Sequence, residues 1–280
     1  MSYQQIRPGR FDVLPPVIKN LMIINGLFLL AQKTTEMWGM DQWVTDYMAL
    51  HNIASPMFRP HQIITHLFLH GDFFHFFFNM FALWMFGNLL ENLWGPKRFL
   101  IFYFSCGFGA AALHLITLSL EYHSLRSEVA AFLNHSTPYE LAAFVKSHPA
   151  IYRFFSAADI GALVNTWMSF PKDINYIDQA QTLVRDYQQL SLDVPTVGAS
   201  GAVFGALAAF GFLFPNTYIY IYFFFPIKAK WFVILYAGAE LWMGVRNSGG
   251  NVAHFAHLGG ALIGFLLVWY WNKNKRETFY

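Results

Sequence analysis

Charge is scarce in this chain. Only 12% of its 280 residues are Asp, Glu, Lys or Arg, about half the share of an ordinary soluble domain. That excludes a disordered chain, which needs charge and few apolar groups, and a nucleic-acid binder, which needs a basic face. Cysteine is almost missing. Cys106 stands alone, which excludes an internal disulfide and a cysteine-rich metal site. The start has no pattern of a cleaved leader: Arg7 and Arg10 precede Pro15-Pro16 and an apolar stretch without a small-residue cleavage site. Apolar residues fill the place of the absent charge. The chain is 56% hydrophobic and 19% aromatic, with mean hydropathy +0.35. A soluble protein with a large core keeps its apolar runs below about 18 residues; several here reach or exceed that length. The composition therefore predicts an all-α, multi-pass integral membrane protein.

Six spans are expected, over residues 16–32, 73–94, 99–120, 200–214, 231–245 and 252–271. The second apolar stretch starts near Thr65, and as one helix it would be about 45 Å long, against a hydrocarbon core of about 30 Å. Gly71-Asp72 offers the break, with Asp72 as N-cap of a helix from Phe73. Residues up to His70 then belong to an interfacial loop. With the N- and C-termini in the cytoplasm, the inner segments hold ten basic residues and three acids, and the outer ones eight and thirteen. The excess of Lys and Arg in the short inner loops supports this count and orientation. In a bacterium the membrane is the plasma (inner) membrane.

Residues 121–195 form a long polar stretch on the outer side, with eight acids and five basic residues. Thr137-Pro138-Tyr139-Glu140 reads as a helix start, and a second helical pattern runs near 177–190. The expectation is one membrane domain over 1–280, carrying a helical extramembrane insertion at 121–195 between the third and fourth spans.

Three places in the spans are unusually polar: His66, His70, His75 and Asn79; Gly198-Ala199-Ser200-Gly201; and His254 and His257, followed by Gly259, Gly260 and Gly264. A polar or ionisable group in a span is costly without a partner or a function. Counted from their inner helix ends, Asn79, Ser200 and His257 each lie about 15 residues, or about 22 Å, above the inner boundary, hence about 8 Å below the outer surface. The fourth helix begins at the serine, because Asp193-Val194-Pro195-Thr196 is unsuited to a lipid-facing helix. A helix start offers free N–H groups and a positive dipole end to developing negative charge. Gly201 and Gly205 are four apart, as are Gly260 and Gly264. Two such faces pack closely and bring Ser200 within reach of His257. His75 and Asn79 share a helix face and can donate to one oxyanion. His66 and His70 read as loop residues, His254 as structural and His114 as a packing histidine. Glu240 and Glu91 are placed near helix ends, away from the active plane. The residues thus suggest a serine–histidine dyad without a third acid.

The chain resembles the rhomboid intramembrane serine proteases. Gly198-Ala199-Ser200-Gly201 matches their serine motif, and Ala256-His257-Leu258-Gly259-Gly260, continuing to Gly264, matches their histidine motif. The run from His66 to Asn79 matches their second-helix pattern. The resemblance covers residues 58–108 and 196–272 and implies a six-helix rhomboid bundle. It implies Ser200 as nucleophile, His257 as general base and acid, and His75, Asn79 and the Ser200 N–H as oxyanion donors. It implies membrane-anchored protein substrates met in the lipid bilayer, and calls for no cofactor, metal or nucleic acid. Two alternatives stay open: a non-catalytic relative that binds membrane segments, and a haem or metal protein using the histidines of the second and sixth spans.

Overall fold

The computed structural model describes residues 11–221, 224–246 and 253–275. Arg7, Arg10, Arg276 and Glu277 of the charge pattern, and Val252 at the expected start of the last span, lie outside them. The described chain is predominantly helical and divides into two compact units. One comprises the residues up to Leu50, Arg59–His114 and those from Thr196 onward; the other comprises His51–Phe58 and Leu115–Pro195.

In the first unit, the opening helix is Pro16–Met37, five residues longer than expected. Pro16 suits its first turn, where a missing N–H costs no hydrogen bond. Two free N–H groups of that turn are capped from another helix: Glu91 accepts from Val17 and Ile18 at 2.9 Å each. Glu91 is buried, so the acid placed at an inner helix end is a cap for the first helix. The second apolar helix runs Phe73–Trp94. Asp72 caps it as expected, its side chain accepting the His75 N–H at 2.8 Å. The helix passes through a π-helical turn at Leu83–Gly87.

The third helix, Pro96–Asn134, departs furthest from the expected 99–120. Its 39 residues are about 58 Å long, far more than a hydrocarbon core of about 30 Å. Residues 121–134 contain Glu, Leu, Arg and Ala but no Gly or Pro, so the helix has no local reason to stop. The boundary at residue 121 therefore falls inside a continuous helix.

Three described helices are long and apolar enough to cross a membrane: Phe73–Trp94, Pro96–Asn134 and His254–Lys273. Ser200–Leu213 is apolar but shorter, and Ala229–Val245 has 17 residues. Their exposed positions are themselves apolar, including Phe73, Phe74, Phe77 and Phe78 on one helix and Leu262, Phe265 and Leu266 on another. Water disfavours such faces and lipid accommodates them. The core of the unit gathers Leu83, Leu90, Phe99, Phe102, Tyr103 and Cys106 against Ala202, Ala206 and Phe210.

A short antiparallel hairpin corrects the purely helical expectation. Tyr218–Ile221 pairs with Phe225–Lys228, with Tyr218 opposite Lys228 and Ile219 opposite Ile227. Aromatic and β-branched residues after Pro215 and Asn216 favour an extended chain there.

The second unit has its own core, including Leu141, Ile151, Trp167, Ala180 and Val184. Its helices include Pro138–Ser147, Ala157–Ser169 and Ile174–Leu192. Thr137 caps the first of these by accepting the Glu140 N–H at 3.1 Å. The Ala157–Ser169 helix has no counterpart in the sequence reading.

Candidate active site

The site is built around the loop that leads into Ser200. Thr196 exchanges two backbone hydrogen bonds with Leu50, at 2.8 and 2.9 Å. The Gly198 N–H donates to the His66 carbonyl at 2.8 Å. Irregular backbone among apolar helices is thus hydrogen-bonded, as it must be where water is scarce. Gly198 has φ 129°, a conformation that residues with a Cβ resist. A methyl group there would also come within 2.9 Å of His75 Nε2 and 3.6 Å of Ser200 Oγ. Glycine at 198 therefore leaves open the space that the His75 ring edge and the serine hydroxyl share.

Ser200 is the first residue of the Ser200–Leu213 helix. That helix packs on the one carrying His257 through the two glycine pairs. A methyl at Gly260 would overlap the Gly201 carbonyl oxygen, and one at Gly264 would crowd the Gly205 backbone. The close approach puts Ser200 Oγ 2.8 Å from His257 Nε2. Phe204, one turn below Ser200, stacks on the His257 ring at 4.2 Å between centroids and 4° between planes. The imidazole is thereby held in plane as well as in place.

His75 has a defined tautomer. The Gly71 N–H donates to its Nδ1 at 3.2 Å, so in the neutral ring Nε2 carries the hydrogen. That N–H belongs to the edge facing Gly198 and Ser200. Asn79 lies one turn further along the same helix and is buried; one of its amide hydrogens goes to the His75 carbonyl at 2.9 Å. The other remains for a second acceptor, since a carboxamide has two.

The remaining histidines separate by partner. His114 Nε2 lies 2.7 Å from Thr196 Oγ1, and His66 Nδ1 lies 2.7 Å from the Gln62 carbonyl. Both line a small cavity of about 20 Å³ beside Ser200, together with Thr196, Gly198 and Ala256. That volume is about the room one water needs. Burial pushes His66 down to about 4 from its usual 6.5. Burial, then the nearby His75, pushes His70 down to about 4 as well. His70 packs edge-on against His75 at 5.3 Å. Among the described residues, no three His, Cys, Asp or Glu side chains converge as metal ligands would.

One acid contradicts the expected absence of a carboxylate from the site. Glu240 is buried, with Oε2 2.6 Å from His254 Nδ1 and Oε1 3.1 Å from His257 Nδ1. The second contact has ion-pair separation without hydrogen-bond geometry. Glu240 and His254 are thus the site residues that the sequence reading missed. An acid in an apolar helix was itself the available signal, because it needs a partner.

The match to the Rhomboid domain family spans residues 58–131 and 149–274. Rhomboid protein 1, mitochondrial, of Saccharomyces cerevisiae is 26% identical over 212 residues, 75% of this chain and 42% of that protein. RHOMBOID-like protein 12, mitochondrial, of Arabidopsis thaliana is 25% identical over 264 residues, 94% of this chain and 60% of that one. The matched region is therefore about two fifths to three fifths of the length of these relatives. With the Rhomboid domain matched over most of this chain and the serine and histidine motifs in contact, the chain belongs to the rhomboid family.

Proposed function

We propose that this chain is an intramembrane serine endopeptidase that cleaves membrane-anchored proteins within or beside their transmembrane segments. The observation that carries this reading is the 2.8 Å approach of Ser200 Oγ to His257 Nε2, at the head of a helix and among apolar elements. Neutral His257 takes the hydroxyl proton as Ser200 Oγ attacks a peptide carbonyl. The tetrahedral oxyanion accepts from the Ser200 N–H, from His75 Nε2–H and from the free amide hydrogen of Asn79. His257 then protonates the leaving amine, and water, activated by the same ring, hydrolyses the acyl-enzyme. Each oxyanion donor supplies about 2.7–4 kcal/mol if it acts as such donors do elsewhere.

The chain crosses the bilayer six times in this reading. The three long apolar helices are joined by Pro16–Met37, Ser200–Leu213 and Ala229–Val245. The 14-residue serine helix is only about 21 Å long. That supports a serine recessed below the outer surface, where water can still enter. Both termini lie on the side with the basic loops, the cytoplasm in a bacterium, where the membrane is the plasma (inner) membrane. The relatives described above carry mitochondrial names. Residues 121–195 act outside the membrane. Fluorophosphonate labelling of the purified protein tests the reading, with a transmembrane substrate assayed alongside. Wild type is labelled and cuts, and Ser200→Ala does neither. A non-catalytic membrane-segment binder would bind the substrate and take no label.

A further inference from the structure

We infer that Glu240 is a positioning residue for the reaction, setting the tautomer and orientation of His257. The inference rests on the serine-protease reading above. A buried carboxylate is costly unless both oxygens find hydrogen-bond donors. Glu240 is 2% exposed, and its two oxygens face two imidazoles that are three residues apart on one helix. An ionised carboxylate only accepts, so each Nδ1 that faces it carries hydrogen. For neutral His257, that leaves the lone pair on Nε2, the atom 2.8 Å from the serine hydroxyl. The reverse tautomer would set an N–H against that hydroxyl and make His257 unable to take its proton.

The surroundings hold the carboxylate in place. The shorter contact, 2.6 Å to His254, pins one oxygen and turns the other toward His257. One turn earlier on the Glu240 helix, Tyr236 packs against Phe204 at 5.0 Å, and Phe204 is the ring stacked on His257. One helix face therefore supports the imidazole through its edge and through its stacking partner. The Glu240–His257 contact is the looser of the two, at 3.1 Å. Catalytic hydrogen bonds are often poorly aligned before substrate binds and tighten in the transition state. As His257 gains the serine proton, its Nδ1–H becomes the stronger donor and the contact shortens. Glu240 therefore acts mainly in the transition state, and its loss lowers kcat more than it raises KM.

Nitrogen-15 NMR of histidine-labelled wild type at neutral pH tests this without relying on activity. Difference spectra against His257→Ala and His254→Ala assign the two rings. The expected signature is a neutral His257 with its hydrogen on Nδ1. An Nε2–H ring in wild type overturns the inference, even if every Glu240 variant fails to fold. Steady-state cleavage by Glu240→Gln, with folding checked by its thermal midpoint, gives the second readout. An amide in place of the carboxylate lowers kcat about 10²- to 10⁴-fold with little change in KM, by analogy with a triad acid replaced by its amide. Glu240→Asp, which restores the charge on a shorter stem, recovers part of that loss. Wild-type turnover by folded Glu240→Gln, or an unchanged His257 tautomer in it, overturns the role. A wild type that neither cuts nor labels refutes the protease reading instead, and the tautomer of His257 still decides its relation to Glu240.

Discussion

Ser200→Ala and His257→Ala each abolish cleavage of a membrane-anchored substrate while leaving the thermal midpoint within a few degrees of wild type. Retained turnover by either purified variant would falsify the dyad. His75→Ala and Asn79→Ala act differently. Each lowers kcat by about 10²- to 10³-fold with KM nearly unchanged, because an oxyanion donor is engaged mainly in the transition state. A change confined to KM would assign these side chains to substrate placement. His66 gives a pH effect on stability. Its pKa in the folded protein, about 4, lies below the ordinary 6.5 of the unfolded chain. The unfolded state therefore binds the extra proton as pH falls below about 6.5, and stability drops until about pH 4, where both states are protonated. The full difference is about 3 kcal/mol. Thermal unfolding in detergent across this window shows the slope, and His66→Gln flattens it; an unchanged slope in the variant would remove His66 from the cause.

Two contacts between helices carry measurable stability. Gly260→Val adds bulk where the Gly201 carbonyl already sits. It forces the serine and histidine helices apart and destabilises the protein by about 1–3 kcal/mol. Fluorophosphonate labelling falls with it, since the separation moves His257 from Ser200. Glu91→Ala removes the acceptor of two N–H groups at the start of the Pro16–Met37 helix. Its cost is about 1–3 kcal/mol, read as a lower thermal midpoint. The glycine pairs were legible as a packing pattern, because small residues four apart admit a neighbouring backbone whatever the fold. The role of Glu91 was not, because the helix it caps lies more than 70 residues away in the chain.

Two separate cores imply separable stabilities. Trp167 is fully buried in the core that also holds Leu141, Ile151 and Val184. Trp167→Ala costs that unit about 3–5 kcal/mol. Hydrogen exchange then rises first in the helices Pro138–Ser147, Ala157–Ser169 and Ile174–Leu192, and probe labelling of Ser200 persists. A uniform rise in exchange over both units would mean a single cooperative structure.

Composition alone specified a membrane protein, since a 280-residue chain with 12% charge has too little polar surface for water. Local pattern specified the serine at a helix start, the glycine faces and the Asp72 cap, because each depends on residues within a few positions. Depth counted along each helix, together with the glycine faces, paired Ser200 with His257. Glu240 was left out because a place near a helix end was taken as a place away from the active plane. Five residues before Val245, Glu240 lies about 8 Å from its helix end, the depth estimated for the active plane from the sequence. Which way that helix turns its acid is set by packing against Phe204 and the His254–His257 face, and no periodicity within the helix encodes it. The continuation of Pro96–Asn134 past residue 120 has a similar origin. A helix ends where a breaker or a competing contact stops it, and hydropathy marks only where its surroundings change.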